Sequence, residues 1–172
     1  MQRKVEKFGI SDKRGRKRTS DDPYMPESGL KEPALCQVCH ALYRHKRWQL
    51  EPDVVAAMET DPATQRVTCP ACQKIAEHYP EGIVTLRGDY LWRHETEIRN
   101  ILSNEAERVL AKNPISRIMN IATADESLVI ETTAQKLAEH LGRTLHRAHN
   151  GELQVAGSRS PRVCRVNWER WL

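Results

Sequence analysis

Cys36-Gln37-Val38-Cys39 and Cys69-Pro70-Ala71-Cys72 decide how the first folded part of this chain is built. A Cys-x-x-Cys turn points two thiolates at one ion, and two such turns complete a tetrahedral sulfur site, the pattern of structural zinc. The 29 residues between the pairs make a longer loop than the tightest zinc ribbons have, but one that suits two knuckles on opposing hairpins. Other uses of cysteine fit less well. A disulfide framework goes with a secretory context, and a redox pair comes as one Cys-x-x-Cys, not two. Four thiolates leave no open position for a substrate water, so the expectation is one structural Zn2+ on Cys36, Cys39, Cys69 and Cys72. Neither pair is followed by glycine, since His40 and Gln73 stand there. His40, His45 and His78 are conceivable substitute ligands. With four cysteines already paired, they read as surface residues or neighbours of the site.

The zinc module is expected over residues 34–82. Its first pair continues as His40-Ala41-Leu42-Tyr43-Arg44-His45-Lys46-Arg47-Trp48. Basic residues alternating with aromatic ones can offer stacking faces and phosphate contacts together. Trp48 reads as part of the small core such a module needs, and Tyr43 fits either role. Between the pairs, Pro52 to Met58 reads as a short inserted helix with proline in its first turn.

Upstream, residues 1–33 read as a flexible basic arm, interrupted by glycine and proline and without apolar periodicity. Residues 1–18 hold Arg3, Lys4, Lys7, Lys13, Arg14, Arg16, Lys17 and Arg18 against Glu6 and Asp12, giving +6. At the other end, Arg159, Arg162, Arg165 and Arg170 against Glu169 give +3 over residues 157–172. The chain as a whole carries only +4, so the residues between sum to −5. A mildly acidic body with basic ends suits a protein that grips a polyanion, through contacts that release counterions and weaken with salt. No apolar run approaches the length of a membrane helix, and Met1-Gln2-Arg3-Lys4 leads into further charge instead of a signal peptide. With an odd five cysteines, the expectation is a reducing, cytoplasmic setting with no membrane contact.

Residues 83–172 read as an α/β sandwich. Ile83 to Leu86 is a short strand, and residues 94–112 place Ile98, Ile101, Leu102, Ala106, Val109 and Leu110 on one helical face. Ile115 to Thr123 and Ser127 to Thr132 suit a hairpin. Thr133 is a candidate cap for a second helix with the inner stripe Ala134, Leu137, Ala138, Leu141, Leu145 and Ala148. Glu152 to Ala156 and Val163 to Trp168 follow as strands. The fold expected is thus α+β: a zinc ribbon, then a ferredoxin-like βαββαβ sandwich with an extra C-terminal strand. Cys164 alternates with Arg165 and shares the apolar face of Val166 and Trp168, so it reads as a small buried hydrophobe.

No catalytic set stands out. The chain lacks a Gly-x-x-x-x-Gly-Lys-Ser/Thr loop, Gly-x-Gly-x-x-Gly, Gly-x-Ser-x-Gly and His-Glu-x-x-His, so neither an enzyme nor a small-molecule substrate is expected. Glu95 and Glu97 are explained by the positive end of a helix dipole. His146 and His149, three apart near a helix end, could clip a metal; the plainer reading is solvated residues at the negative end of that dipole.

The order of motifs carries a resemblance. Asp22-Pro23-Tyr24 precedes the first cysteine pair, which runs on through Ala41 and Tyr43 to Arg47-Trp48, and Cys-Pro-Ala-Cys follows. Then come Gly88, Glu97-Ile98, Arg117-Ile118, Glu131-Thr132-Thr133 with Leu137-Ala138, and Arg165-Val166-Asn167-Trp168. Over most of residues 21–170 this resembles a group of short bacterial zinc-ribbon proteins. These are similar in turn to the N-terminal part of the large-ribosomal-subunit export adaptor of archaea and eukaryotes, the nonsense-mediated-decay adaptor family. The resemblance implies that the four cysteines are metal ligands and that the zinc-bearing region engages the large ribosomal subunit. The chain has one four-cysteine site and lacks the length for the adaptor's further domains, so nuclear export is not implied.

The expectation is therefore a non-enzymatic, zinc-containing protein that binds ribosomal RNA on the ribosome, in assembly, hibernation or translation silencing. Its nucleic-acid contacts would come from the eight basic residues of the arm, from Arg44, Lys46 and Arg47, and from Arg159, Arg162, Arg165 and Arg170. A DNA- or mRNA-binding regulator and a zinc-ribbon protein-interaction adaptor are the alternatives.

Overall fold

A computed structural model describes Tyr24, residues 30–159 and residues 162–172. The basic residues Arg3 to Arg18 of the expected arm lie outside these. The described residues form an α+β protein with two sheets and five helices.

The first sheet has the order β3-β2-β1-β4, built from β1 (Ala34–Cys36), β2 (Leu42–Arg44), β3 (Arg47–Gln49) and β4 (Gln65–Val67). Its strands are antiparallel except β1 and β4, which run parallel and need a crossover connection. The inserted helix supplies that crossover: α1 spans Pro52–Thr60 with proline in its first turn, as expected, and buries no residue. Trp48 is buried, and Tyr43 packs on it with ring centroids 5.3 Å apart. The expectation of two knuckles on opposing hairpins holds only for Cys36 and Cys39. The second pair opens a helix, α2 (Pro70–Ala76), with Cys69 as its N-cap and Pro70 in its first turn. The physical reason is in the sequence: Pro70 has no N–H to lose at a helix start, and its fixed φ is already helical.

The second sheet has the order β6-β7-β5-β9-β8, from β5 (Gly82–Arg87), β6 (Ile118–Ala124), β7 (Ser127–Thr132), β8 (Glu152–Arg159) and β9 (Arg162–Glu169). Neighbours are antiparallel except β5 and β9, which are parallel. The last strand therefore lies inside the sheet, between β5 and β8. Side chains alternate in β5, with Val84 and Leu86 fully buried and Ile83 and Thr85 half-buried on the other face. The buried face packs on α4 (Glu95–Lys112), through Ile98 and Leu102, and on α5 (Gln135–His149), through Leu137, Ala138, Leu141 and Leu145. Gly142 lets α5 sit directly on β9, because a Cβ there would run into the Val166 side chain. A short helix not anticipated from the sequence, α3 (Asp89–Arg93), precedes α4. Before it, Gly88 at φ 108° passes so close to the Arg170 backbone that a Cβ would collide with its carbonyl.

Two expectations at the ends of α5 change. Thr133 does not cap the helix; Ala134 occupies the N-cap without a side-chain bond. The Thr133 hydroxyl instead donates to the Ile115 carbonyl at 2.8 Å and accepts the Arg117 amide at 2.8 Å. That grip holds residues 115–117 off the sheet, so β6 starts at Ile118. At the other end, Ala148 is exposed and His149 is buried in its place.

The two sheets have separate apolar clusters, one around the cysteines and Trp48, the other around the β5–β9 sheet and α4/α5. The joint between them is mostly polar. Lys74 of α2, almost fully buried, pairs with Glu81 at 3.2 Å and donates to the Thr133 carbonyl at 3.2 Å. The Lys74 ammonium also lies 5.9 Å from the centre of the Tyr24 ring, which packs against Tyr79. Glu81 in turn is tied by its backbone to Thr132 and Cys164.

Candidate metal centre

The β1–β2 turn delivers Cys36 and Cys39, and the first turn of α2 delivers Cys69 and Cys72. In the first turn the Cys36 amide bonds to the Ala41 carbonyl at 2.9 Å and the His40 amide to the Cys36 carbonyl at 3.0 Å. His40 itself takes the left-handed conformation (φ 62°) that glycine usually fills after a cysteine pair. Gln73 needs no such conformation, because a helix continues through it.

The four sulfur atoms lie within 4.8 Å of one another, and among the described residues no other group of three or more His, Cys, Asp or Glu gathers so closely. Cys36 and Cys72 sulfurs are 3.9 Å apart, and those of Cys39 and Cys69 are 3.7 Å apart. A tetrahedron with metal–sulfur bonds of about 2.3 Å has an edge of about 3.8 Å. The spacing is thus that of ligands around one ion and far beyond a disulfide bond; all four cysteines are free. Backbone amides support the sulfurs, Cys69 N–H to Cys36 Sγ at 3.2 Å and Cys72 N–H to Cys69 Sγ at 3.4 Å. Three of the residues are buried and Cys39 is partly exposed. The residues fit a metal ion, and an all-sulfur set of this shape is consistent with structural zinc. His40, His45 and His78 take no part. All three are exposed, and His40 faces Glu59 at 3.2 Å.

One residue of the centre was missed from the sequence. Arg117 reaches across from the segment just before β6, its Nη2 donating to Cys39 Sγ at 2.9 Å and Cys69 Sγ at 3.5 Å, its Nη1 to Cys72 Sγ at 3.5 Å. Its Nε donates to the Pro114 carbonyl at 2.6 Å, and Thr133 pins its backbone. Four thiolates around a divalent ion leave two negative charges, and a guanidinium fork offsets one while orienting the sulfurs. A lone arginine 45 residues beyond Cys72 carries no local pattern that would reveal this.

Without a metal, the sulfurs do not titrate alike. The Cys39 thiol is held down to about 4, first by its hydrogen bond with Cys69, against the cost of burial, then by the Ala41 backbone and Arg117. The same shared bond, with burial, pushes Cys69 far up. Burial raises Cys72 as well, opposed by its hydrogen bond from Arg117. Burial works hardest to lower Arg117, but the Cys39 charge, the hydrogen bonds to Cys72 and Cys39 and the Cys69 charge together outweigh it, and the guanidinium ends raised. Cys164 lies on the inner sheet face, its thiol raised by burial and then by Glu139.

The candidate nucleic-acid residues divide. Lys46 and Arg47 are exposed at the β2–β3 tip, whose backbone is tied down where Glu32 accepts the His45 amide at 3.1 Å and the Lys46 amide at 2.7 Å. Arg44 is half-buried and pairs with Glu51 at 3.1 Å. Arg165 is exposed on the helix-free face of the second sheet, and Arg162 is half-buried. Arg170 is engaged internally. Its guanidinium lies 3.7 Å from the centre of the Tyr90 ring and donates to the His149 carbonyl. Among the described residues, no helix is long and apolar enough to cross a membrane.

Fold and centre together define an α+β protein whose first module is organised by a four-cysteine site able to hold a metal ion. Comparison with protein-family models, curated proteins and solved structures finds no match for this chain.

Proposed function

We propose that this is a zinc-containing, non-enzymatic protein of the cytoplasm that binds ribosomal RNA on the ribosome, at the large subunit. It acts there in assembly, hibernation or translation silencing. In this reading the first module is a zinc-ribbon variant. The second is a ferredoxin-like βαββαβ unit whose extra strand has entered the sheet.

The observation that carries the proposal is where the exposed basic tip is mounted. Leu30 packs on the cysteine cluster. Two residues on, Glu32 holds the β2–β3 tip, from which Lys46 and Arg47 project into solvent. The exposed basic tip is therefore tied by Glu32 to the segment that packs on the metal module, and the metal fixes its place. Clustered phosphate contacts on a rigid mount are what a polyanion-binding protein needs. The resemblance to the adaptor family points to the same RNA.

Sucrose-gradient sedimentation tests this. In low salt the protein should move with ribosomal subunits or whole ribosomes, and high salt should release it. Deleting residues 2–18, or changing Lys46 and Arg47 together to alanine, should weaken that association while the metal content stays unchanged. Protein that remains at the top of the gradient in low salt, from growing and from starved cells alike, would sink the proposal.

A further inference from the structure

Away from the cysteines, one buried polar atom lacks an evident purpose. His149, the last residue of α5, is 5% exposed, and its Nε2 has no hydrogen-bond partner among the described residues. A buried polar nitrogen left unpaired loses its hydration without a replacement, so it calls for an occupant. What faces it is a carboxylate. Glu97, in the first turn of α4, places Oε1 3.9 Å from His149 Nε2 and Oε2 3.5 Å from Nδ1 of His94. Both separations are too long for good hydrogen bonds. They are slightly wider than the roughly 3.0–3.4 Å expected between nitrogen and oxygen ligands sharing one ion at about 2.1 Å.

We propose that His94, Glu97 and His149 form a second metal site, a two-histidine, one-carboxylate centre for a divalent transition cation such as Zn2+. One ring positions both imidazoles. Tyr90 meets His149 Nδ1 through its hydroxyl at 2.9 Å and stacks on His94 at 4.0 Å and 20°. With Nδ1–H donating to the Tyr90 oxygen, the Nε2 lone pair of His149 is free to ligate, the arrangement usual for metal-bound histidine. The two imidazole centroids stand 6.1 Å apart, wide enough for an ion between them. Glu97 is exposed and His94 partly so, which leaves both side chains room to turn toward the buried His149. A cleft of about 280 Å³ lined by Trp92, Arg93, His94, Glu95, Thr96 and Glu97 opens on the His94 and Glu97 side of the site and leaves room for water there. On the inner side, Arg170 covers the opposite face of Tyr90 from His94 and is held by the His149 carbonyl, and Arg93 is among the residues lining the cleft. In the cleft, Glu95 is paired with Arg99 at 2.8 Å.

The pairing differs from the one the sequence offered. His146 is exposed, with Nδ1 on the Gly151 carbonyl at 3.0 Å, and does not share the site. The inference is independent of ribosome binding.

The test is calorimetric titration of the full chain, its cysteine centre already filled, with Zn2+. Long-range ¹H–¹⁵N spectra of the imidazoles are recorded alongside. A second, weaker equivalent should bind and shift the ring nitrogens of His94 and His149. Glu97→Gln and His94→Gln should each weaken it at least tenfold while leaving the first equivalent in place, and His146→Gln should change neither. Absence of a second equivalent overturns the proposal. So does a second equivalent that survives Glu97→Gln and His94→Gln, or one lost in His146→Gln.

Discussion

Arg117 shows how much a single side chain can connect. It reaches three sulfurs from a segment that Thr133 fastens to the second sheet. Arg117→Lys keeps the charge but loses the planar fork that spans several sulfurs at once. We expect it to weaken metal binding by about tenfold, the lower end of what supporting residues around metals contribute, as read by chelator competition. The sulfurs themselves predict a pH dependence. Cys69 and Cys72 have raised pKa values, so both are protonated at neutral pH when no metal is bound. An incoming ion must displace those protons. Metal affinity therefore rises with pH across the neutral range, and binding releases protons that dye-linked or calorimetric measurements in buffers of different ionisation heat will count. The cysteines could be read from sequence because their spacing is local. Arg117 could not, since only the tertiary fold brings it there.

At the scale of elements, what could be read in advance followed periodicity and chemistry within a few residues. The apolar stripe of α5 and the alternation in β5 come directly from 3.6- and 2-residue repeats. The exceptions have physical causes. Thr133 looked like a cap, but its hydroxyl meets a competing pair of backbone groups at Ile115 and Arg117. His149 replaces Ala148 in the stripe because the helix ends over Tyr90, where an imidazole finds a partner. Strand order was hidden, because β9 pairs with β5 across some eighty residues and alternation alone does not say which neighbour a strand takes. Gly142 gives a direct test of the α5–β9 contact. Alanine would gain about 1 kcal/mol of helix propensity, but its methyl would press on Val166 and Leu153, and such overpacking costs about 1–3 kcal/mol. Urea denaturation should find Gly142→Ala less stable by about 1 kcal/mol. A more stable variant would mean the helix is not seated as described.

For the whole molecule, separate clusters predict separable behaviour. The second sheet has its own closed core, whereas the first module has a smaller one, Trp48, Ala41 and Ala71 around the cysteines with Leu35 and Leu42 buried in its sheet. Stripping the metal with a chelator should therefore melt the first module and leave the second. In an NMR spectrum, the Trp48 indole signal should collapse toward its unfolded position, while Trp168, whose Nε1–H donates to the Asn150 carbonyl at 2.7 Å, keeps its shift. Simultaneous loss of both signals would show that the joint at Lys74, Glu81 and Thr133 couples the parts more tightly than their cores suggest.

The interior position of β9 also sets an order of events during synthesis. When residues up to 149 have emerged, β5, β6 and β7 can already pair and α4 and α5 can cover them. One side of β5, however, has no partner until residues 162–169 arrive. They come as one arm of a hairpin with β8 and must dock as a unit, closing the sheet and seating Trp168 in the same step. Until then the growing chain carries a bare strand edge of the kind that recruits other strands. β8, the strand that ends up outermost, sets Glu152, Gln154, Ala156 and Gly157 among Leu153 and Val155, so the finished sheet has a less apolar border than β5 would have presented.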